Sequence, residues 1–326
     1  MRTANFKSAA IAALLSMGLL TGCTNGITNQ KTSNHMDTLN LTQEWDKKFP
    51  QSNKVNHRKV TFKNRYGITL AADLYELKNI ESKVPAIAVS GPFGAVKEQS
   101  SGLYAQTMAE RGFLTLAFDP SYTGESGGEP RNVASPDINT EDFSAAVDFL
   151  IAHPNVDAKR IGIIGICGFG GMGLNAAAMD TRIKATVAST MYDMSRVNAN
   201  GYFDAEDSAE VRRNKREAMN AIRTRDAQNG TATPGTPGLP TSIKGDEPQF
   251  VKDYFDYYKT ERAFHARAIN SNGAWNPTMA LSFINMPLLT YIHEIDNAVL
   301  LIHGENAHSR YFSEDAFKRL KGNNKE

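Results

Sequence analysis

The sequence predicts an α/β protein with a mostly parallel sheet and helices on both faces, and three observations predict it. Apolar runs alternate with segments of helical period through most of the chain after residue 84. A pattern of strict alternation around Arg65-Tyr66-Gly67 precedes them and reads as a hairpin. One apolar run, "IGIIGICGFGGMG" from Ile161 to Gly173, passes straight into a glycine-rich turn with a cysteine at its tip.

The elements follow in order. "KVTFKNRYGITLAADLYE" (59–76) supplies the hairpin, and "VPAIAVSGPFG" (84–94) a buried strand ending at Gly91-Pro92. Leu103–Arg111 has helical spacing, "FLTLAFD" (113–119) is a strand, and Asp142–Ala152 is helical again. "RIGIIG" (160–165), the glycine turn and Leu174–Met179 repeat the unit, and "KATVAST" (184–190) and "AVLLIHG" (298–304) are two further strands. A sheet of this kind binds its ligand beyond the C-terminal ends of the strands.

Between Asp193 and Pro287 the alternation stops. This stretch holds a charged helical run (Ala209–Arg225), the loop "TATPGTPGLP" and the aromatic "FVKDYFDYYKTERAFHARA" (250–268). It is too long for a connector, so a cap over the site is expected at about residues 195–286. Its aromatic side chains are spaced either to pack the cap or to line an apolar pocket for an acyl or aryl group.

The chain has 326 residues, 41% of them hydrophobic, and a formal net charge of +1, a composition that supports one large core. Lysines and arginines are scattered and do not interleave with aromatics, which argues against a nucleic-acid partner. Residues 1–22 read as an export signal: Arg2 and Lys7 precede a short apolar run, and Leu20-Thr21-Gly22-Cys23 resembles the lipobox of bacterial lipoproteins. That resemblance implies a lipid on Cys23, a membrane anchor outside the cytoplasm, and a cell-envelope location. Residues 23–52 are polar and suit a tether, and 53–326 are the domain. The two cysteines, Cys23 and Cys167, leave no internal disulfide, so Cys167 is either buried and inert or kept for chemistry.

Strand, sharp turn and helix carrying Gly-x-nucleophile-x-Gly is the signature of an elbow that lifts a nucleophile above a sheet. Gly165 meets the first requirement, but Phe169 stands where the second small residue belongs, and Gly170-Gly171 follow one place late. Either Cys167 is at the apex, or Gly168 takes it and the elbow is empty.

"VSGPFG", "FDPSYTGESGG", "IGICGFGG" and "AVLLIHGEN", in this order, resemble an α/β-hydrolase of the dienelactone-hydrolase-like group that includes polyketide-transferase-related proteins. The resemblance runs from about Val55 to the C-terminus. It implies a Ser or Cys nucleophile, an acid after a late strand and a histidine after the last one, acting on a small ester, thioester or acyl substrate without a cofactor. Carried over, it makes Cys167 the nucleophile, with the backbone N–H groups of Gly168 and Phe93 as the oxyanion hole. Ala307 stands where the family places its aspartate, leaving Asp193 and Glu305 as substitutes. No histidine follows His308, so His308 and, behind it, His303 are the base candidates. The resemblance therefore implies a hydrolase lacking its last strand and helix, impaired in catalysis, with "AVLLIH" as a bare sheet edge.

Two other readings stand beside this one. Gly168-Phe169-Gly170-Gly171-Met172-Gly173 is a literal G-x-G-x-x-G, and Asp193 ends the next strand where a dinucleotide fold keeps its ribose-binding acid. A non-catalytic, lipid-anchored binding protein of the same fold would also lack the aspartate and the histidine. No His, Cys or carboxylate cluster has metal-ligand spacing, and "GESGGEP" lacks the lysine of a phosphate loop.

Overall fold

Seven strands form one sheet in the order 1-2-4-3-5-6-7. The computed structural model describes residues 39–326, so the signal segment and Cys23 lie outside the described residues. β1 (Val55–Lys63) and β2 (Thr69–Leu77) form the antiparallel hairpin, turning at Asn64–Ile68. β2 also runs antiparallel to β4 (Leu114–Phe118), and from there β3 (Val84–Ser90), β5 (Val156–Ile166), β6 (Ile183–Ser189) and β7 (Ala298–Ile302) are parallel.

Parallel strands buried on both faces read as unbroken apolar runs, and each face has its own core. Ala86 and Ala88 of β3 point with Leu114, Leu116 and Ile163 toward α2 (Pro136–Ala152) and α3 (Gly168–Met179). Ile87, Val89, Ala117, Ile164 and Ile166 point the other way, toward Ala105 and Ala109 of α1 (Ser100–Ala109). Helices thus cover both faces, as the alternation predicts. α2 begins where its chemistry allows: Ser135 caps it by accepting from Ile138 N–H, Pro136 needs no donor there, and Asp137 faces the positive helix end.

The cap fills the chain between β6 and β7. It contains α4 (Met194–Asn200), α5 (Ala209–Asn229), α6 (Gln249–Lys259), α7 (Ile269–Asn272) and α8 (Ala280–Asn285). α5 runs from a Ser208 cap to a left-handed Gly230 and buries only Met219. The aromatic segment is helical only to Lys259, and Thr260–Ala268 return as turns.

Two expectations need correction. The polar tether does not extend to residue 52: Phe49 is buried, Trp45 packs edge-on to it, and Lys47 pairs with Asp73 at 3.0 Å. Few apolar residues mark this stretch, but one aromatic ring beside Gly102, where an added Cβ would lie 2.9 Å from Phe49 Cζ, is enough to dock it. Nor is β7 a bare edge. After α9 (Arg310–Arg319), Val299 N–H donates to Asn324 O at 2.9 Å, Leu301 N–H to Glu326 O at 2.8 Å, and Glu326 N–H to Val299 O at 3.0 Å. Backbone groups make this pairing, so the polar side chains of "NNKE" do not announce it.

Candidate active site

β5 ends at Ile166, and α3 starts at Gly168 with no residue between except Cys167. Cys167 has φ 57° and ψ −124°, a conformation in which a side-chain-bearing residue is strained. It therefore occupies the apex, and the elbow is not empty. The displaced glycines also find their reason. A Cβ on Gly165 would meet Phe169 O at 2.1 Å, and one on Gly171 would meet Tyr192 O at 2.4 Å. Phe169 turns its ring into the core, so only its backbone touches the strand, and the close approach to the next loop falls on Gly171.

Main-chain bonds fix the apex from below. Cys167 N–H donates to Ser189 O at 2.9 Å, and Cys167 O accepts from Gly170 at 2.8 Å and from Tyr192 at 3.0 Å. The N–H groups of Gly168 and Phe93, the two expected oxyanion donors, both point at the Cys167 sulfur. Burial pushes the thiol up to about 11, against the pull of those two N–H groups, so it is protonated at neutral pH.

Above the thiol is a cavity of about 680 Å³, walled by Phe93, Tyr192, Tyr202, Phe250, Tyr254 and Trp275. Among the described residues no lysine or arginine lines it, and Asp253 is its one carboxylate. Thr190, also on the wall, has φ 47°, a second strained residue at the same strand end.

His308 reaches this cavity, and its ring stacks on Phe250 with centroids 4.0 Å apart. Its Nε2 bonds the Tyr192 hydroxyl, which also bonds the Tyr254 hydroxyl at 3.1 Å. Burial drives the Tyr192 phenol far above its ordinary value, so it keeps its proton and can donate it to Nε2. Burial also lowers His308, with Asp253 opposing, so the ring is neutral and can accept.

The other candidates lie elsewhere. Asp193 caps α4: its Oδ1 accepts from Ser195 N–H and Arg196 N–H, both at 3.0 Å, and from the Ser195 hydroxyl. The structure does not bring it to His308. Glu305 is exposed in the loop before Ala307. Both ring nitrogens of His303 are taken, Nδ1 by Ser313 at 2.7 Å and Nε2 by Ser309 at 3.0 Å. The literal G-x-G-x-x-G lies inside α3, all its residues buried in the helix, and Asp193 is spent on its cap. No phosphate cradle remains for a dinucleotide there.

The model of the X-Pro dipeptidyl-peptidase (S15) family matches residues 66–324, from the hairpin turn to the pairing beside β7. The chain belongs to the S15 family. It is 60% identical over 323 residues to the uncharacterized protein PA2218 of Pseudomonas aeruginosa, covering 97% of this chain and 86% of that one. The crystal structure of PA2218 superimposes with a TM-score of 0.85 at 63% identity, over 88% of this chain and 89% of that one. The α/β-hydrolase GrgF of Penicillium sp. sh18 has a TM-score of 0.66 at 21% identity, over 83% and 88%, and so shares the fold. Thiohydrolase aneE of Aspergillus aculeatus is 34% identical over 108 residues, 33% of this chain and 34% of its own. The seven-strand sheet is thus that of an α/β-hydrolase, reached through the S15 family.

This S15-family chain also carries a buried charge cluster that sequence reasoning missed. Glu98, Asp119 and Glu125 converge within 4.8 Å, and Lys97 Nζ lies 2.8, 2.7 and 2.7 Å from them. The ammonium stands where a cation among three carboxylates would sit. Arg267 of the cap joins at 2.8 Å from Glu98 and 2.6 Å from Asp46. "VKEQ" and "TGES" are 28 residues apart from Lys97 to Glu125, and only the fold makes them partners. Tyr192 was missed too, and Tyr254 was expected only as one of the cap aromatics: one follows β6, the other sits on α6, and nothing local pairs them.

Proposed function

We propose that this chain is a cysteine-dependent acyl hydrolase or acyltransferase of the dienelactone-hydrolase-like, polyketide-transferase-related kind, acting on a small ester or thioester with an apolar acyl or aryl group. The observation that carries this reading is Cys167 at a strained apex, with two backbone N–H groups on its sulfur and an aromatic cavity above it. The thiol attacks the acyl carbon, and the carbonyl oxygen, as it gains charge, takes over the N–H groups of Gly168 and Phe93. The thiol proton passes to His308, by way of Tyr192, and returns to the leaving oxygen or sulfur. Water, or an acceptor hydroxyl, then releases the acyl group. The partial match to a thiohydrolase supports the thioester part of the reading. Release of p-nitrophenol from its butyrate ester, compared with Cys167→Ala, tests it; Ala-Pro-p-nitroanilide tests the peptidase activity in the family's name.

His308 has a separate expected signature. With a thiol at about 11, unassisted attack gains tenfold per pH unit through the neutral range, because only the thiolate reacts. A neutral histidine that takes the proton removes that dependence above its own pKa, which burial holds below the usual value. Turnover is therefore expected to be flat between pH 7 and 9, whereas His308→Asn falls by about 10²-fold and climbs with a slope near one. A wild-type profile with that same slope would remove His308 from the mechanism.

A non-catalytic binding protein of the same fold is the second reading. Ala307 at the family's acid position favours it, and so does the absence, among the described residues, of a carboxylate hydrogen-bonded to His308. It predicts that p-nitrophenyl butyrate is bound and not turned over.

The sequence of residues 1–23 supports export and a lipid on Cys23, which would hold the enzyme in the cell envelope. Radiolabelled palmitate is expected to enter the wild-type chain and not Cys23→Ala when each is expressed in a bacterium; equal labelling would sink the anchor.

A further inference from the structure

We propose that Asn270, a cap residue, holds the second oxyanion donor in position, so that the oxyanion hole is complete only while the cap is docked on the loop after β3. The inference rests on Cys167 being the nucleophile.

The donor concerned is Phe93 N–H, in a loop with no regular secondary structure. Such a loop orders its amides only through what grips it. Asn270 grips it twice: its Nδ2 donates to Phe93 O at 2.8 Å, and its own N–H donates to Gly94 O at 3.0 Å. The approach is so close that a Cβ on Gly94, whose φ is +83°, would lie 2.4 Å from Asn270 Oδ1. The Phe93 ring is held as well, stacked on Trp275 of the cap at 4.2 Å. Inside the loop, Pro92 O, on the same peptide unit as this N–H, accepts from Ala95 N–H at 2.9 Å; the cap holds the Phe93 carbonyl and ring on the other side, and together these keep the N–H turned to the Cys167 sulfur.

The grip is itself anchored. Gln99 Nε2 at the far end of the loop donates to Ala263 O of the cap at 2.6 Å. Arg267, three residues before Asn270, is paired to Glu98 of the same loop at 2.8 Å. Cap residues 263–275 are therefore joined to loop residues 93–99 at both ends of the loop. Gly168 N–H, by contrast, belongs to α3 and needs nothing from the cap.

This makes one donor permanent and the other conditional. A cap displaced to admit a substrate leaves the site half-formed, and closing it completes the hole.

The test compares Asn270→Asp, Asn270→Ala and Asn272→Ala with the wild type and with Cys167→Ala. Asn270→Asp keeps the shape and removes the donor to Phe93 O; Asn272 is exposed on the same short helix and bonds only Ala266 O, at 3.4 Å. The two Asn270 variants are expected to lose about 10- to 100-fold in kcat on p-nitrophenyl butyrate with KM within about threefold, the scale of a misplaced or missing oxyanion donor. Their alkylation by iodoacetamide should also need a higher pH, because the thiolate has lost a hydrogen bond. Asn272→Ala should match the wild type in both. A merely structural role would lower the melting temperature without moving the alkylation profile, and so overturns the proposal. So does Asn270→Asp with kcat and alkylation within threefold of wild type while Cys167→Ala is inactive. Turnover that survives in Cys167→Ala defeats the nucleophile assignment itself, and the role of Asn270 with it.

Discussion

Cys167→Ala is expected to abolish the release of p-nitrophenol from p-nitrophenyl butyrate, by at least about a thousandfold, while the protein keeps its fold. The magnitude follows from what the substitution removes. No other thiol exists among residues 39–326, and the hydroxyls on the cavity wall are otherwise engaged: those of tyrosines such as Tyr192 and Tyr254 are held protonated by burial, Thr190 donates to Ser189 O, and Ser309 bonds His303 Nε2. Loss of a nucleophile that forms a covalent intermediate costs about 10³–10⁶ in kcat, and the oxyanion hole and cavity account for what remains. The fold survives because alanine occupies less space than cysteine, and the strained φ of 57° is imposed by the bonds to Ser189, Gly170 and Tyr192. The Cys167→Ser variant adds a second reading of the same site. A hydroxyl needs a base far more than a thiol does, so residual turnover in the serine variant measures how well His308 works. Undiminished turnover in Cys167→Ala would place the chemistry elsewhere, and binding of the ester without turnover by the wild type would favour the non-catalytic reading.

Lys97→Met is expected to remove about 3–5 kcal/mol of stability, a large part of the 5–15 kcal/mol of an ordinary domain. The methionine matches the volume of the lysine but leaves Glu98, Asp119 and Glu125 together with no ammonium among them. Urea unfolding at pH 7 measures the loss, and a melting temperature lowered by on the order of 10 °C accompanies it. A variant as stable as the wild type would show that Lys59 and Arg267 neutralise the cluster without Lys97.

The pH dependence gives the same cluster a sign. In the wild type, Lys97 and the other cations hold Glu98 well below the carboxylate range, and Glu125 lies at about 2. A carboxylate depressed by folding contributes stability above its unfolded value, near 4.3, and that contribution is lost as the pH falls through the folded value. Wild-type stability therefore falls between about pH 4.5 and pH 2. Burial already holds Asp119 above its ordinary value in the wild type; without Lys97 the burial of Glu98 and Glu125 also loses its main compensation, and their values rise with it above the unfolded ones. Such groups favour folding only while protonated, so the deficit of Lys97→Met should shrink as the pH drops from 8 to 5. A deficit that is constant over that range would mean lost packing and not lost charge.

The sheet was legible because its signals are local. Apolar runs bounded by glycine and proline announce buried parallel strands, and the order hairpin, strand, helix repeats often enough to identify the class. The elbow was legible for the same reason: close approach of β5 and α3 demands glycine at Gly165 and Gly171, and the glycines are written in the chain even though Phe169 interrupts the pattern. Gly168 and Phe93 were implied by the resemblance to the hydrolase family, and a backbone N–H needs no particular side chain to be placed. Asp193 shows the limit. A carboxylate at a strand end can serve as an acid or cap the next helix, and only the bonds to Ser195 and Arg196 distinguish these uses.

The sequence by itself determined the α/β class and the glycine-rich turn that carries Cys167, because these depend on residues within a few positions of one another. The tertiary structure alone decided what surrounds that cysteine. His308 comes from the segment after β7, Tyr192 from the end of β6, Tyr254 and Asn270 from the cap, and Lys97 gathers carboxylates from two loops. Each of these contacts joins parts of the chain far apart in sequence. Closing such a contact costs entropy that a single side chain does not repay, so it forms only when the docking of whole elements brings the partners together.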